Sequence, residues 1–291
     1  MERFCIITNR GKDNGLAVTN RIGTILAENG KIWNLAEEHI AENGCHYTKA
    51  EEIPEYVECA IVLGGDGTIL QASHDLADRQ LPILGINLGT LGFLAETELS
   101  EVEAALHQLF TDQYIIEEHM MLSVDFNLED SSKMKSKGAV PDALNDLVIT
   151  RSGFSRLIGT EIYVNGELAN IYQGDGVIIS TPTGSTGYNL SAGGPILSPA
   201  AQMIVITPIC PHSLNSRGIV VSAEDTVGVR IRNSKKTQHE EAIATIDGSY
   251  AVNLKAGDSI EIKKAKRSTR LIRFRSGSFY QVLRMKLKGD E

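Results

Sequence analysis

The chain has 291 residues, 42% hydrophobic and 22% charged, which excludes wholesale disorder and leaves room for two ordinary domains of about 150 residues each. Its 28 Lys and Arg against 37 Asp and Glu give a net charge of −9, with no basic excess to recommend nucleic acid or an anionic membrane as a partner. No apolar run approaches the ~20 residues of a membrane span, and the apolar stretch within residues 1–8 is too short for a signal peptide.

In chain order, Phe4–Thr8 reads as a short buried strand. Val18, Ile22, Ile25 and Leu26 then fall at helical spacing, and Gly30 follows where a left-handed cap sits. Cys59–Leu63 is a second strand, Ile69, Leu70, Ser73, Leu76 and Ala77 share a helical face, and Pro82–Ile86 is a third strand. Ser100 and Glu103 form a capping box ahead of Val102, Ala105, Leu106, Leu109 and Phe110. Strand and helix in alternation imply a parallel sheet with crossover helices.

After about residue 117 the apolar period changes from 3.6 to 2. Val227, Val229 and Ile231 alternate with polar or small neighbours, as do Ile260 and Ile262, and Asn165-Gly166 joins two strand-like runs in a hairpin. Asp247-Gly248 reads as another hairpin turn. Ser278 and Gln281 form a capping box for a last helix whose face is Phe279, Val282, Leu283 and Leu287. That helix has no partner in an all-β domain and is expected on the first one. The expected division is an α/β domain over 1–116, an all-β, sandwich-like domain over 117–275, and a returning helix over 276–291. Ser131–Gly138 and Lys263–Arg267 read as solvated charged turns. Cys5, Cys45, Cys59 and Cys210 form no CxxC pair, as expected of reduced thiols in the cytosol.

Three segments carry chemistry. Gly64, Gly65, Asp66, Gly67 and Thr68 follow a buried strand and open a helix, where unpaired amides and the helix dipole favour an anion. A carboxylate planted there would repel phosphate, so Asp66 reads as a proton acceptor, a metal ligand or a local cap. Ser180–Pro195, STPTGSTGYNLSAGGP, is rich in hydroxyls and glycines and carries one aromatic face, Tyr188, on which a base could stack. Asn145-Asp146 stands at the mouth of the strand Leu147–Ile149, where an amide and a carboxylate suit ribose hydroxyls; a plain turn is the other reading. Gly11-Lys12 continues into Asp13, so there is no Walker A loop, and no GxGxxG follows the first strand.

Together GGDGT, Asn87–Phe93 (NLGTLGF), Asn145-Asp146 and GDGVIISTPTGSTGYNLSAGGPI resemble the bacterial NAD kinases, in order over residues 60–215. The resemblance implies a Rossmann-like N-terminal α/β domain without the dinucleotide fingerprint, a β-sandwich-like C-terminal domain, and a homodimer or homotetramer. It implies transfer of the terminal phosphoryl of ATP to the 2′-hydroxyl of the adenosine ribose of NAD, with a divalent cation such as Mg²⁺. Asp66 matches the family's proton acceptor, with Gly64, Gly65, Gly67, Thr68 and Phe93 around the substrates. Asn145 and Asp146 match the pair that binds NAD. Arg156 aligns with a basic or imidazole contact residue. Asp175, Thr183, Thr186, Gly187, Tyr188, Asn189, Leu190 and Ser191 match the segment lining the NAD pocket. No residue is assigned as a metal ligand. Gln173 and Ser249 stand where many members have a basic residue and Gln. A lipid kinase of the diacylglycerol or sphingosine type shares the GGDGT loop and is the alternative enzyme, though the polar 180–195 segment argues against an acyl-chain entry. A nucleotide sensor that has lost turnover is the non-catalytic alternative.

Overall fold

A computed structural model describes residues 1–41, 44–129, 140–152, 157–213, 216–232, 241–274 and 279–287. The chain divides into two compact units, Met1–His119 with Ser268–Glu291, and Met120–Arg267. The expected domain limits at 116 and 275 differ from these because two long strands run through both boundaries. The expected loop over 131–138 and the Ser278 end of the last capping box lie outside the described residues.

In the first unit the strands are β1 (Arg3–Thr8), β2 (Ile32–Leu35), β3 (His39–Ile40), β4 (His46–Tyr47), β5 (Cys59–Gly64), β6 (Ile83–Asn87) and β7 (Thr97–Glu98). The helices are α1 (Ala17–Glu28), α2 (Asp66–Asp75) and α3 (Val102–Phe110). Strands β2, β1, β5 and β6 lie side by side and every pairing is parallel, with Leu63 opposite Thr8 on one side and Ile86 on the other. The four central residues of β5 have strands on both sides, so Ala60–Leu63 is apolar at every position. Phe4, Ile6, Ile61, Leu63 and Leu84 from the strands meet Ile22 and Leu26 of α1 and Leu106 and Leu109 of α3 in one core.

One strand went unread in the sequence, and one capping box is corrected. Strand β2 carries no long apolar run: it pairs on one edge only, its Ile32 is exposed, and Asn34 interrupts it, so periodicity missed it. The capping box before α3 is made by Glu98 and Glu101, because a 3₁₀ turn at Leu99–Glu101 precedes the helix and takes Ser100 into itself. Glu103 instead pairs with Arg21 at 2.8 Å.

The second unit is built of β8 (Ile115–Asn127, from Met120 on), β9 (Asp146–Arg151), β10 (Ile158–Val164), β11 (Glu167–Gly174) and β12 (Gly176–Ser180). After a one-turn helix α4 (Tyr188–Ser191) come β13 (Met203–Ile209), β14 (Ile219–Ser222), β15 (Val227–Ile231), β16 (Glu241–Ile246), β17 (Tyr250–Lys255) and β18 (Ser259–Arg273). One sheet has the order β14-β13-β12-β9-β16-β17, and β11, β10, β15 and the first half of β18 form another, with β8 beside β18. Alternate residues of both sheets, including Leu147, Ile149, Ile162, Val177, Ile179, Val229, Ile260 and Ile262, share a single core, the consequence of the two-residue apolar period. Asn165 and Gly166 join β10 to β11 with φ of 51° and 82°, the pair of positive angles a two-residue hairpin loop requires.

The last residues of β18 belong to the first unit, where Leu271 pairs in parallel with Ile83. The final helix α5 (Phe279–Leu287) is in the same unit: Val282 is buried, and the Phe279 ring lies 6.0 Å from that of Phe93. Among the described residues no helix is long and apolar enough to cross a membrane.

Candidate functional site

The glycine-rich loop sits at the C-terminal edge of the first unit's sheet. Gly64 ends β5, Gly65 caps α2, and Asp66 is the helix's first residue. The Gly65 carbonyl accepts from the amides of Thr68 and Ile69, while the Thr68 hydroxyl accepts from the Gly65 amide at 3.4 Å and from Asn9 Nδ2 at 3.5 Å. Thr68 therefore closes the turn. Gly67 is exposed and Asp66 half-buried.

The Asp66 carboxylate is held from the NLGTLGF side. Its Oδ2 accepts from the Phe93 amide at 2.9 Å, and its Oδ1 accepts from the amides of Leu94 at 3.0 Å and Ala95 at 3.1 Å. The anion held by the amides of Phe93, Leu94 and Ala95 is thus the protein's own carboxylate. A Cβ at Gly92 would overlap this carboxylate, so only glycine fits there. The Phe93 ring is itself gripped by α5, with Lys286 Nζ 5.2 Å from its centroid.

Lys12, noticed in the sequence only for failing a Walker A pattern, stands over the same loop. A Cβ on Gly65 would lie 3.2 Å from its ammonium nitrogen, and one on Gly89 3.7 Å. The turn that carries it is pinned by Asp13, whose carboxylate accepts from the amides of Val18 and Thr19 at 2.9 and 3.0 Å. Asn87 adds a buried Nδ2 without a partner among the described residues. Asn9, Lys12, Gly65, Asp66, Gly67, Thr68 and Gln71 line a cavity of about 510 Å³, within the range of small-molecule sites.

In the second unit, Asn145 and Asp146 lead into β9, and the 180–197 segment closes on them. The Thr181 amide donates to the Asn145 carbonyl at 2.9 Å and the Thr181 hydroxyl to the Leu144 carbonyl at 2.6 Å. Asp247 proves to be more than a turn. Its carboxylate accepts from the amides of Leu144 (2.7 Å), Asn145 (2.8 Å) and Asp146 (2.9 Å), fixing the backbone that presents the pair. Burial first, and then the nearby Asp247 charge, push the Asp146 carboxyl up to about 7. A neutral Asp146 is a hydrogen-bond donor as well as an acceptor.

Much of the hydroxyl-rich segment faces inward rather than out. Ser180, Thr181, Thr183 and Ser185 are buried. Ser185 donates to the Pro182 carbonyl at 2.6 Å and Thr186 to the Thr183 carbonyl at 3.3 Å. Asn189 is fully buried: its Nδ2 donates to the carbonyls of Ser185 and Pro195, and its Oδ1 accepts from the Thr207 hydroxyl at 2.6 Å. Asn189 thus shapes the segment with its side chain. Gly187, Tyr188 and Ser191 are exposed, and Thr186 and Leu190 are half-buried.

Asp175 lies elsewhere. Register puts Ser180 opposite Asp146 and Gly176 opposite Thr150, and the Arg151 amide donates to the Asp175 carbonyl, so Asp175 adjoins the other end of β9, about 17 Å along the strand. There its Oδ1 accepts from Arg151 Nε at 2.8 Å. Arg156 lies outside the described residues.

Among the described residues, the group of three or more metal-ligating side chains whose ligand atoms lie close together is Glu37, His39 and Glu52, which does not include Asp66. Its His39 Nε2 and Glu52 Oε2 already contact each other at 2.7 Å.

Comparison with known proteins covers both units. Residues 4–114 match the ATP-NAD kinase N-terminal domain and residues 144–274 the ATP-NAD kinase C-terminal domain. An NAD kinase of Lachnoclostridium phytofermentans is 56% identical over 291 residues, covering 100% of both chains. One of Natranaerobius thermophilus is 40% identical over 295 aligned positions, covering 100% of this chain and 99% of its own. Among solved structures, an NAD kinase from Archaeoglobus fulgidus in complex with ATP is similar at a TM-score of 0.78 and 24% identity, covering 99% of this chain and 100% of its own. Yeast NADH kinase complexed with NADH is similar at a TM-score of 0.81 and 21% identity, covering 100% of this chain and 88% of its own. At those identities the two structures speak to the fold, an α/β sheet followed by a mostly-β domain. The sequence matches speak to descent, and none of them favours a lipid kinase: the chain belongs to the NAD kinase family.

Proposed function

We propose that this protein is an NAD kinase that transfers the terminal phosphoryl group of ATP to the 2′-hydroxyl of the adenosine ribose of NAD. The observation that carries this reading is a carboxylate fixed by three amides in a glycine-rich turn, beside a lysine and a cavity of nucleotide size. The 2′-oxygen forms a bond to the γ-phosphorus, the bond from phosphorus to the β–γ bridging oxygen breaks, and ADP leaves. Asp66 accepts the proton released by the 2′-hydroxyl and passes it to solvent. Positioning and charge neutralisation do most of the catalysis in phosphoryl transfer. The turn Gly64–Thr68 and Lys12 receive the donor phosphates, with Phe93 braced beside them. Asn145 and Asp146 hold ribose hydroxyls, and Thr186, Gly187, Tyr188, Leu190 and Ser191 contact NAD, with Tyr188 as a stacking face. Thr183, Asn189 and Asp175 support that segment and its strand.

A divalent cation fits as part of the incoming nucleotide. Both Asp66 oxygens already accept amide hydrogens, and among the described residues no group of three or more clustered metal-ligating side chains includes it. The ion's shell would be phosphate and water, as is usual for Mg²⁺ on nucleotides. Bound in this way it offsets the charge of two polyanionic substrates on a protein of net charge −9.

We further infer a cytoplasmic homodimer or homotetramer. Cys5 and Cys59 are buried thiols, and burial pushes Cys5 up to about 11 and Cys59 up to about 12, so both are inert and suited to a reducing compartment. The edge strand β11 exposes Leu168 and Ile171, apolar surface that a second copy would cover. Purified protein given ATP, Mg²⁺ and NAD, coupled to an NADP-specific dehydrogenase, tests the activity. NADP formation that requires all three supports it; NAD binding without NADP refutes it.

A further inference from the structure

Arg273, the last residue of β18, is only 10% exposed and reaches back to the loop that holds Asp66. Its Nη1 donates to the Leu94 carbonyl at 2.9 Å and its Nη2 to the Phe93 carbonyl at 3.2 Å. Its Nε donates to Glu117 Oε2 at 3.1 Å, and Nη1 lies 3.5 Å from Glu96 Oε2. Glu117 is a permanent partner: hydrogen bonding to His119, with the Arg273 charge beside it, holds its carboxyl down at about 2.

The two carbonyls are particular ones. The Phe93 C=O and the Leu94 N–H belong to one planar peptide group, and the Leu94 C=O and the Ala95 N–H to the next. In a trans peptide these groups point in opposite directions. The two amides that donate to Asp66 Oδ1 are therefore the far ends of the two peptides whose oxygens Arg273 holds. Cation, two peptide dipoles and carboxylate form one chain, each bond polarising the next. A lysine in this place would make point contacts and could not span both carbonyls and Glu117 in one plane.

We propose that Arg273 is a positioning residue for Asp66, setting the orientation of the Phe93–Leu94 and Leu94–Ala95 peptides and through them the place of the carboxylate. This rests on the catalytic reading of Asp66. The test is a double-mutant cycle in full-length protein, Arg273→Gln and Arg273→Lys each alone and with Asp66→Asn, read as kcat and KM for NAD and ATP, with melting temperature recorded for every variant.

The expected result for Arg273→Gln is a kcat loss of roughly 10²-fold, the scale of a misplaced catalytic group, with both KM values changed by less than about threefold. Arg273→Lys keeps the charge and is expected between Gln and wild type. In the Asp66→Asn background either change costs less than about threefold further, because the group it positions is gone. Loss in kcat that vanishes on the Asp66→Asn background supports the proposal. Unchanged kcat in Arg273→Gln overturns it, as do losses that multiply with Asp66→Asn, or losses that track melting temperature in both Arg273 variants. If Asp66→Asn alone retains full turnover, it is the role of Asp66 that fails.

Discussion

Replacing Asp146 by Asn should change how stability depends on pH. Asp146 is 6% exposed at the start of β9, and its carboxyl is pushed from 3.8 up to about 7, by burial first and by Asp247 second. The native state therefore keeps a proton that the unfolded chain gives up above pH 3.8. Stability is fully present below that value and is lost as pH rises to about 7. A shift of about three units corresponds to about 4 kcal/mol at most, and relaxation of the site brings the expected loss to about 2–4 kcal/mol. For a chain of this size that is on the order of 5–10 °C in melting temperature. Asn keeps the shape and the donor of the neutral acid and carries no proton-linked charge. Melting curves from pH 4 to pH 8 should show wild type losing ground to Asp146→Asn across the window, most steeply between pH 5 and 7. Parallel curves would show that Asp146 titrates normally and that the burial argument is wrong.

Two further substitutions probe one unit each. Lys12→Met removes the cation over Gly65 and Gly89; losing a charged hydrogen bond of about 1.5–3 kcal/mol raises KM for ATP by roughly 10–100-fold. KM for NAD should stay within about threefold in the same steady-state assay, and an unchanged KM for ATP would remove Lys12 from the donor site. Asp247→Ala takes the shared acceptor from the amides of Leu144, Asn145 and Asp146, and each amide left unpaired costs about 1–3 kcal/mol. Melting temperature should fall and KM for NAD rise, both measurable on one preparation; if neither moves, Asp247 is only a turn.

The parts of this architecture legible in the sequence are those with a local signature. Glycine and aspartate at 64–67 announce a strand-to-helix turn because few other residues tolerate it, and the alternation at 227–231 and 260–262 reports a half-buried sheet directly. What stayed hidden depends on contacts between distant segments. Asp66 is held by amides 27 to 29 residues away, and a backbone donor leaves no mark in residue type. Asp247 does form the expected turn, yet its carboxylate serves a strand more than 100 residues earlier. Lys12 belongs to no phosphate-loop motif, and only the fold brings it over Gly65. The hydroxyls at 180–186 and the amide at 189 were legible as unusual, but composition alone could not separate those that brace the segment from those that face outward. Strand β2 shows the same limit at an edge, where a strand paired on one side needs no apolar run.

The most direct test of the account is turnover by Asp66→Asn, with NAD affinity measured alongside by calorimetry. The account predicts NAD binding close to that of wild type and a kcat lower by roughly 10²–10⁴-fold, the scale of general acid–base catalysis. A loss smaller than about threefold, far below that scale, would contradict it.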